Sequence, residues 1–355
     1  LADIAPHLDQ RDLRPRIPHQ QSLRPDVQPW QGQAGFCTIF TSGSTGTPKG
    51  VLLSHARTSR AFELLARANS VSSATRWLSV SAISFDLALC ELLIPLTVGG
   101  HGHVGVPGIG RDVDQLADLI KAWSPTMLSA TPLLWGALLQ EHPRIADNLA
   151  GAMTVGEAPP SAVVTALREA VPTITNGYGP TETTICASIG LLRPDTQDVG
   201  RINEGYEAYI LDPWLRPLPP YVLGELHVAG DCLAVGYLGA AGLTAERFIA
   251  NPFGTDGSRL YRTGDLGYLD RLGVLHLQGR ADGQLKIRGN RVELGEVEQA
   301  LLRCGAQEAA CVPARRRDGT LAITAFVTGD ASEPVLWRTR LRRIVPDYMV
   351  PTAIV

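Results

Sequence analysis

The run Thr41-Ser42-Gly43-Ser44-Thr45-Gly46-Thr47-Pro48-Lys49-Gly50 concentrates three glycines, five hydroxyls and one lysine in ten residues. That composition suits an anion. Glycines let backbone N–H groups approach and wrap around it, hydroxyls donate to phosphate oxygens, and Lys49 adds positive charge. The pattern is not the P-loop G-x-x-x-x-G-K-[ST], because Lys49 lies three residues beyond Gly46 and is followed by Gly50. A flexible surface loop is the plain alternative; a buried strand expected just before it and the Pro48-Lys49-Gly50 ending favour a phosphate cradle. Cys37, Cys90, Cys186, Cys232, Cys304 and Cys311 are scattered and form no C-x-x-C pair. They read as reduced thiols of a cytosolic protein, with no metal cluster.

A phosphate loop needs rigid elements to hold it. Residues 36–41 read as a short apolar strand that runs into the loop, and the loop is expected to pass into a helix over 57–69 with Phe62, Leu65 and Ala66 on one face. Residues 113–123 place Val113, Leu116, Leu119, Ile120 and Trp123 at helical spacing, with Asp112 able to cap. A buried strand at 127–130, a helix at 133–139 opened by Pro132, a helix at 163–170 and a strand at 173–175 follow. Strand and helix taking turns predict an α/β domain with a largely parallel sheet. After about residue 205 the character changes. Strands at 208–211, 224–229 and 274–278, with a tight turn at 270–273, predict an antiparallel, barrel-like portion. A second change follows Gly279-Arg280-Ala281-Asp282-Gly283. Beyond it, strands at 285–287, 309–314 and 321–328 and helices at 294–302 and 333–344 predict a compact α+β unit. The expected division is a large domain over 1–281 and a small one over 282–355, hinged at Asp282. No internal repeat is evident.

The composition excludes several classes. Of 355 residues, 45% are hydrophobic and 19% charged, which rules out wholesale disorder. A net charge of −3 leaves no electrostatic footprint for nucleic acid or an anionic membrane. The run Arg315-Arg316-Arg317 falls at an expected hairpin tip, where a solvated loop explains it better than a nucleic-acid patch. The longest apolar candidate, 87–98, is interrupted by Glu91 and Pro95 and is too short to span a bilayer. The sequence opens at Leu1 without a charged-then-apolar leader, so no signal peptide is expected, and it reads as part of a longer protein.

Beyond these readings, Phe40 to His55 (FTSGSTGTPKGVLLSH) resembles the phosphate loop of the adenylate-forming superfamily: acyl-CoA synthetases, luciferases and the adenylation domains of nonribosomal peptide synthetases. Five further segments resemble that family in the same order. They are Asn176-Gly177-Tyr178-Gly179-Pro180-Thr181-Glu182-Thr183-Thr184; Gly224-Glu225-Leu226 through Gly236-Tyr237 with Leu243-Thr244-Ala245-Glu246-Arg247-Phe248; Tyr261-Arg262-Thr263-Gly264-Asp265; the Gly279 to Asp282 segment with Lys286 through Glu298; and Pro346-Asp347-Tyr348-Met349-Val350-Pro351. The wording Arg291-Val292-Glu293-Leu294-Gly295-Glu296-Val297-Glu298, the run Thr181-Glu182-Thr183-Thr184 and, decisively, Asp86 within Ser84-Phe85-Asp86 look most like the peptide-synthetase branch.

The resemblance implies ATP, Mg²⁺ and an α-amino acid as reactants, and a peptidyl carrier protein bearing phosphopantetheine as partner. A small MbtH-like helper protein is a further partner of many such domains. By the same resemblance Thr41, Ser42, Thr45 and Lys49, with Gly43, Ser44 and Gly46 of the same loop, hold the phosphates. Glu182 helps bind Mg²⁺, and Thr181 touches phosphate. Asn176 reads the adenine edge, Tyr178 stacks on it between Gly177 and Gly179, and Gly156-Glu157-Ala158 forms the other wall. Asp265 accepts the ribose hydroxyls, and Arg280 reaches the ribose or phosphate. The resemblance makes Thr41, Lys49, Glu182 and Arg280 the catalytic residues. Asp86 receives the substrate ammonium, and Leu87, Cys90, Ser129, Met153, Val155, Gly177, Ile185 and Cys186 line the pocket. Apart from Asp86 that lining is uncharged. Cys90, Ser129 and Gly177 leave depth, and Ile185-Cys186 with a small residue at Cys90 resembles the pockets of aromatic-activating members, which implies tyrosine, tryptophan or a modified aromatic as substrate, followed by a large aliphatic. The plain alternatives are that Asp86 caps the next helix, Tyr178 is core, Arg280 a surface charge and Asp265 a turn residue. A stand-alone acyl- or aryl-acid ligase and a non-catalytic docking module are the alternative functions. Only 40 residues precede Thr41, and no Asn-Gly-Lys motif follows Pro351. By the resemblance, these 355 residues alone are expected to activate an amino acid poorly.

Overall fold

The computed structural model describes residues 34–42, 48–192, 199–255, 257–281, 284–287, 290–316, 321–329 and 334–355. It begins with an antiparallel hairpin, β1 (Gly35–Thr41) and β2 (Lys49–Ser54), whose register pairs Thr41 with Lys49. The Gly/Ser/Thr loop therefore joins two strands. This corrects the expectation that it passes from a strand into a helix. The chain enters α1 (His55–Ala68) only after β2 has returned beside β1.

Then come β3 (Arg76–Ser79), α2 (Leu87–Thr97), β4 (His101–Val104), α3 (Val113–Trp123), β5 (Met127–Ala130), α4 (Pro132–Glu141), β6 (Gly151–Val155), α5 (Ser161–Ala170), β7 (Thr173–Tyr178) and β8 (Ser188–Leu191). Six strands form one sheet in the order β4-β3-β5-β6-β7-β8, parallel except for β8 against β7. Local chemistry sets the helix starts. Asp112 accepts the Gln115 N–H at the head of α3, and Thr131 accepts the Leu134 N–H at the head of α4, just before Pro132. Both sheet faces are covered, as parallel sheets require. Phe62, Leu65, Leu87 and Ile94 of α1 and α2 pack on one side, and Leu116, Trp135 and Leu167 of α3, α4 and α5 on the other.

The barrel-like portion holds β9 (Tyr206–Leu211), β10 (Gly224–Gly230), β11 (Gly236–Tyr237), α6 (Ala241–Arg247), β12 (Phe248–Ala250), β13 (Arg259–Leu269) and β14 (Leu275–Arg280). Strands β12-β13-β10-β9 pair antiparallel with β14 joined to β13, while β11 extends the β1-β2 hairpin. The last portion holds β15 (Leu285–Ile287), β16 (Asn290–Val292), α7 (Leu294–Arg303), β17 (Glu308–Arg315), β18 (Leu321–Thr328), α8 (Pro334–Leu341) and β19 (Ala353–Ile354). It has its own core, with Val297, Leu301, Ile323, Trp337 and Leu341 buried together. Asp282, the expected hinge, lies outside the described residues.

Strands β3, β4, β6 and β13 and helix α2 are among the elements that the sequence pattern does not predict. The last helix ends at Leu341 rather than Ile344, and β7 runs on to Tyr178. No described helix is long and apolar enough to cross a membrane, and all six cysteines are free.

Candidate active site

Strand alternation sorts the candidate pocket residues. In β5, β6 and β7 the register pairs Ser129 with Met153, Met153 with Thr175, and Val155 with Gly177. Side chains of a strand alternate between faces, so these five share one face. Met153 and Val155 pack there with Leu87, Cys90, Ile185 and Cys186 in one cluster, whereas Leu128, Ala152 and Ile174 point into the other core. The structure thus gathers the candidate lining on a single face. It also fills it. A Cβ on Gly177 would lie 2.4 Å from Met153 Cε, 2.9 Å from Cys186 Sγ and 3.1 Å from Val155 Cγ1. The depth expected at Gly177 is occupied by the flexible Met153 side chain. Ser129 is fully buried, and its hydroxyl accepts from Trp77 Nε1 at 3.0 Å.

Ile185 reaches this cluster by an unusual route. Its φ is +75°, and the Cys186 N–H donates to Thr184 O at 3.1 Å. That is a γ-turn of the positive-φ form, disfavoured for a β-branched residue by about 1–3 kcal/mol. The turn lets Ile185 and Cys186 fold back against β7, where Gly179 packs on their backbone with its nearest contact, Ile185 O, 2.6 Å from an ideal Cβ.

Asp86 precedes α2 and is 5% exposed. Its side chain makes no hydrogen bond to the second or third residue of that helix, as an ordinary N-cap would, but backbone N–H groups at Asp86 and Leu87, the first residue of α2, help hold the carboxylate. Burial pushes its carboxyl up to about 6. A hydrogen bond with Thr181 opposes that shift, and the negative charge of Glu182 adds to it. No cation is among the described groups that shift it.

Thr181 and Glu182 belong to a short 3₁₀ turn, Thr181–Thr183, and Glu182 is fully buried. Lys49 Nζ lies 3.3 Å from Glu182 Oε1. Tyr237 ties the two together. Its hydroxyl donates to Glu182 Oε1 at 2.7 Å and accepts from Lys49 Nζ at 3.4 Å, and its ring lies under the ammonium at 4.8 Å. Burial and the Glu182 charge hold the Tyr237 hydroxyl protonated, far above the usual phenol range. Tyr237 lies in a matching sequence segment, but no residue type or spacing marks it for this contact; only the pairing of β11 with β2 brings it to Lys49. Thr41 Oγ1, at the mouth of the loop, is buried with no partner among the described residues. An orphaned hydroxyl and a lysine there fit a phosphate, and the carboxylate oxygens of Glu182 are the hard donors Mg²⁺ takes. Gly43, Ser44, Thr45 and Gly46 lie outside the described residues.

The adenosine-side candidates gather where the ends of β7 and β14 meet the middle of β13. Asp265 faces Arg280 in register, and Arg280 Nη1 donates to Asp265 Oδ1 at 2.6 Å while Nη2 donates to Thr263 O at 3.0 Å. The Tyr178 hydroxyl donates to Asp265 Oδ2. Burial, followed by the Asp265 charge, raises the Tyr178 hydroxyl well above its ordinary range. Each carboxylate oxygen keeps acceptor capacity for a further donor such as a ribose hydroxyl. Asn176 is buried, and its Oδ1 accepts from the Thr154 hydroxyl at 3.0 Å. Gly156, just beyond β6, takes a left-handed φ of +91° and leads into Glu157 and Ala158. Arg280 is neither a free surface charge nor Asp265 a mere turn residue: the two are paired inside a sheet.

The sequence pattern of the family described as AMP-binding enzyme matches residues 2–238. The chain belongs to the AMP-binding enzyme family. The relatives of this AMP-binding enzyme include the dimodular nonribosomal peptide synthase of Bacillus subtilis, 39% identical over 89% of this chain and 14% of that protein. They also include the tyrocidine synthase 2 of Brevibacillus parabrevis, 35% identical over 88% of this chain and 9% of that protein. This chain therefore spans a small part of each. Among solved structures it is similar to a four-domain nonribosomal peptide synthetase, holo-AB3403, bound to AMP and glycine (TM-score 0.66, 34% identity, 90% of this chain and 24% of that one). It is also similar to the Vibrio cholerae adenylation domain AlmE in complex with glycyl-adenosine-5'-phosphate (TM-score 0.79, 26% identity, 92% and 64%). These neighbours share its mixed α/β architecture.

Proposed function

We propose that this AMP-binding enzyme activates an α-amino acid with ATP, forming an aminoacyl-adenylate and pyrophosphate, within a nonribosomal peptide synthetase. One observation carries the reading. A buried carboxylate, Asp86, with no cation among the described groups that shift it, hydrogen-bonds to Thr181, one residue from the Glu182–Lys49–Tyr237 cluster. A buried carboxylate left unpaired is costly, and a substrate ammonium would complete it beside the phosphate-binding residues.

In this reading Asp86 orients the amino acid so that its carboxylate oxygen attacks the α-phosphorus. The bond from that phosphorus to the bridging oxygen breaks, and pyrophosphate leaves. Thr41, Ser42 and Lys49, with Gly43 to Gly46, bind the leaving phosphates. Thr181 and Glu182 flank the reacting groups, and Glu182 would hold Mg²⁺, which neutralises phosphate charge when bound. Asp265, Arg280, Tyr178, Asn176 and residues 156–158 position the adenosine. The uncharged lining suits a neutral side chain; an aromatic or large aliphatic group needs Met153 to swing aside. Rotation of the unit beyond Asp282 then admits the phosphopantetheine thiol of a peptidyl carrier protein, which takes the aminoacyl group and releases AMP.

The test is ATP–pyrophosphate exchange with the purified full-length protein over a panel of amino acids and aryl acids. Wild type should respond to an amino acid. Asp86→Ala should lower kcat/KM for it about a hundredfold or more, the scale of losing a buried charge pair. Unchanged amino-acid exchange in that variant, with aryl acids active, would select the acid-ligase alternative.

A further inference from the structure

Glu91 is fully buried in the middle of α2, and the chemistry above does not use it. Its carboxylate collects four hydrogen bonds from one short stretch. Oε2 accepts from the Ser79 hydroxyl at 2.8 Å and from the Val80 and Ser81 N–H groups at 3.1 Å each, and Oε1 accepts from the Ser81 hydroxyl at 2.9 Å. Residues 79–81 form the end of β3 and the start of the connection to α2. The chain from Ser79 to Glu91 is thus closed on itself, and Asp86 lies inside the closed segment, five residues before Glu91. Tight turns complete the ring: the Phe85 N–H donates to Ala82 O at 2.8 Å, and the Leu89 N–H donates to Asp86 O at 3.0 Å.

Burying a carboxylate this deeply is unfavourable, and a fold needing only to fill the space would do better with an apolar side chain. An apolar residue, however, would leave the Val80 and Ser81 N–H groups without acceptors and free the strand-to-helix connection. We propose that Glu91 is a positioning residue: it clamps the 79–81 segment onto α2 and so fixes Asp86 where it receives the substrate ammonium. The inference rests on the amino-acid-activating reading.

The experiment compares wild type with Glu91→Met, which keeps the volume and removes every acceptor oxygen, and Glu91→Gln. A glutamine can take the three Oε2 donors on its amide oxygen and turn its NH₂ to Ser81 Oγ. The probe is the proteinogenic amino acid that drives wild-type ATP–pyrophosphate exchange fastest, and amide hydrogen exchange of Val80 and Ser81 is measured without substrates. Glu91→Met should raise the amino-acid KM about tenfold or more while the ATP KM stays within about twofold, and should speed exchange at both amides about tenfold. Glu91→Gln should restore most of both. Should Glu91→Met not fold, Ser81→Ala removes one donor and is expected to raise the amino-acid KM a fewfold, again with the ATP KM unmoved. Parallel rises in both KM values, or full amide protection in Glu91→Met, overturn the proposal. A wild type that exchanges with no amino acid sinks the functional reading instead, and the amide measurement then decides the clamp by itself.

Discussion

Asp86 and Asp265 are equally buried, each 5% exposed, yet the protein treats them in opposite ways. Asp265 is furnished from within. Arg280 binds one oxygen, Tyr178 the other, and Thr263 accepts from both the Asp265 N–H and Arg280 Nη2. Asp86 has the Thr181 hydroxyl, backbone N–H groups at Asp86 and Leu87, and a like charge close by, and burial holds its carboxyl up near 6. In the proposed function the first site, already paired before any ligand arrives, orients a nucleoside without rearranging. The second, with no cation among the described groups that shift its carboxyl, receives one from the substrate ammonium. Preorganisation and a deliberate deficit lie in one molecule, and the difference predicts opposite responses to mutation.

The largest expected effect is on the furnished side. Arg280→Met strands Asp265 as a buried, uncompensated charge and should lower unfolding stability by about 3 kcal/mol, read by denaturant titration at pH 7.5. A loss below about 1 kcal/mol would show that the pair is solvated and that the contrast with Asp86 is smaller than drawn. On the deficient side the sign reverses. Asp86→Asn should make the ligand-free protein more stable at neutral pH by about 1–3 kcal/mol, because a carboxyl raised from 3.8 to about 6 opposes folding once ionised. Destabilisation by that substitution at pH 7.5 would remove the deficit from the argument.

The same shift makes a pH prediction. The folded state holds the Asp86 proton more tightly than the unfolded chain, so between about pH 4 and 6 it binds more protons, and this group's contribution to stability falls as pH rises through that window. Subtracting the stability curve of Asp86→Asn from that of wild type isolates the slope; a difference curve that is flat or rises with pH contradicts it. The smallest expected effect is Tyr178→Phe. It deletes one hydrogen bond to Asp265 while Arg280 remains, and should cost about 1–2 kcal/mol in melting experiments, with weaker AMP binding by calorimetry. A loss as large as that of Arg280→Met would mean that the tyrosine is the principal partner of Asp265.

Much of this was legible in the chain. The amphipathic periods of α3 and α5, the buried run of β5 and the Gly/Pro punctuation around β10 and β14 made the α/β and barrel-like portions visible. Helix α2 was not. It is apolar nearly all round, because it is covered on several sides, so it carries no period to read. The hairpin at the phosphate loop was missed for a related reason, since β2 runs into α1 without a break.

The sequence by itself determined which residues could carry charge, hydroxyls and backbone freedom, and in what order, because those are properties of side-chain type and local spacing. Only the tertiary structure decided who meets whom. Tyr237 reaches Lys49 and Glu182 across 188 and 55 positions, and Tyr178 reaches Asp265 across 87. Electrostatics depends on distance in space and on exclusion of water, neither of which is written in local order. That is why the sequence could nominate Asp86, while burial, Thr181 and the lack of a cation among its described neighbours give it its character.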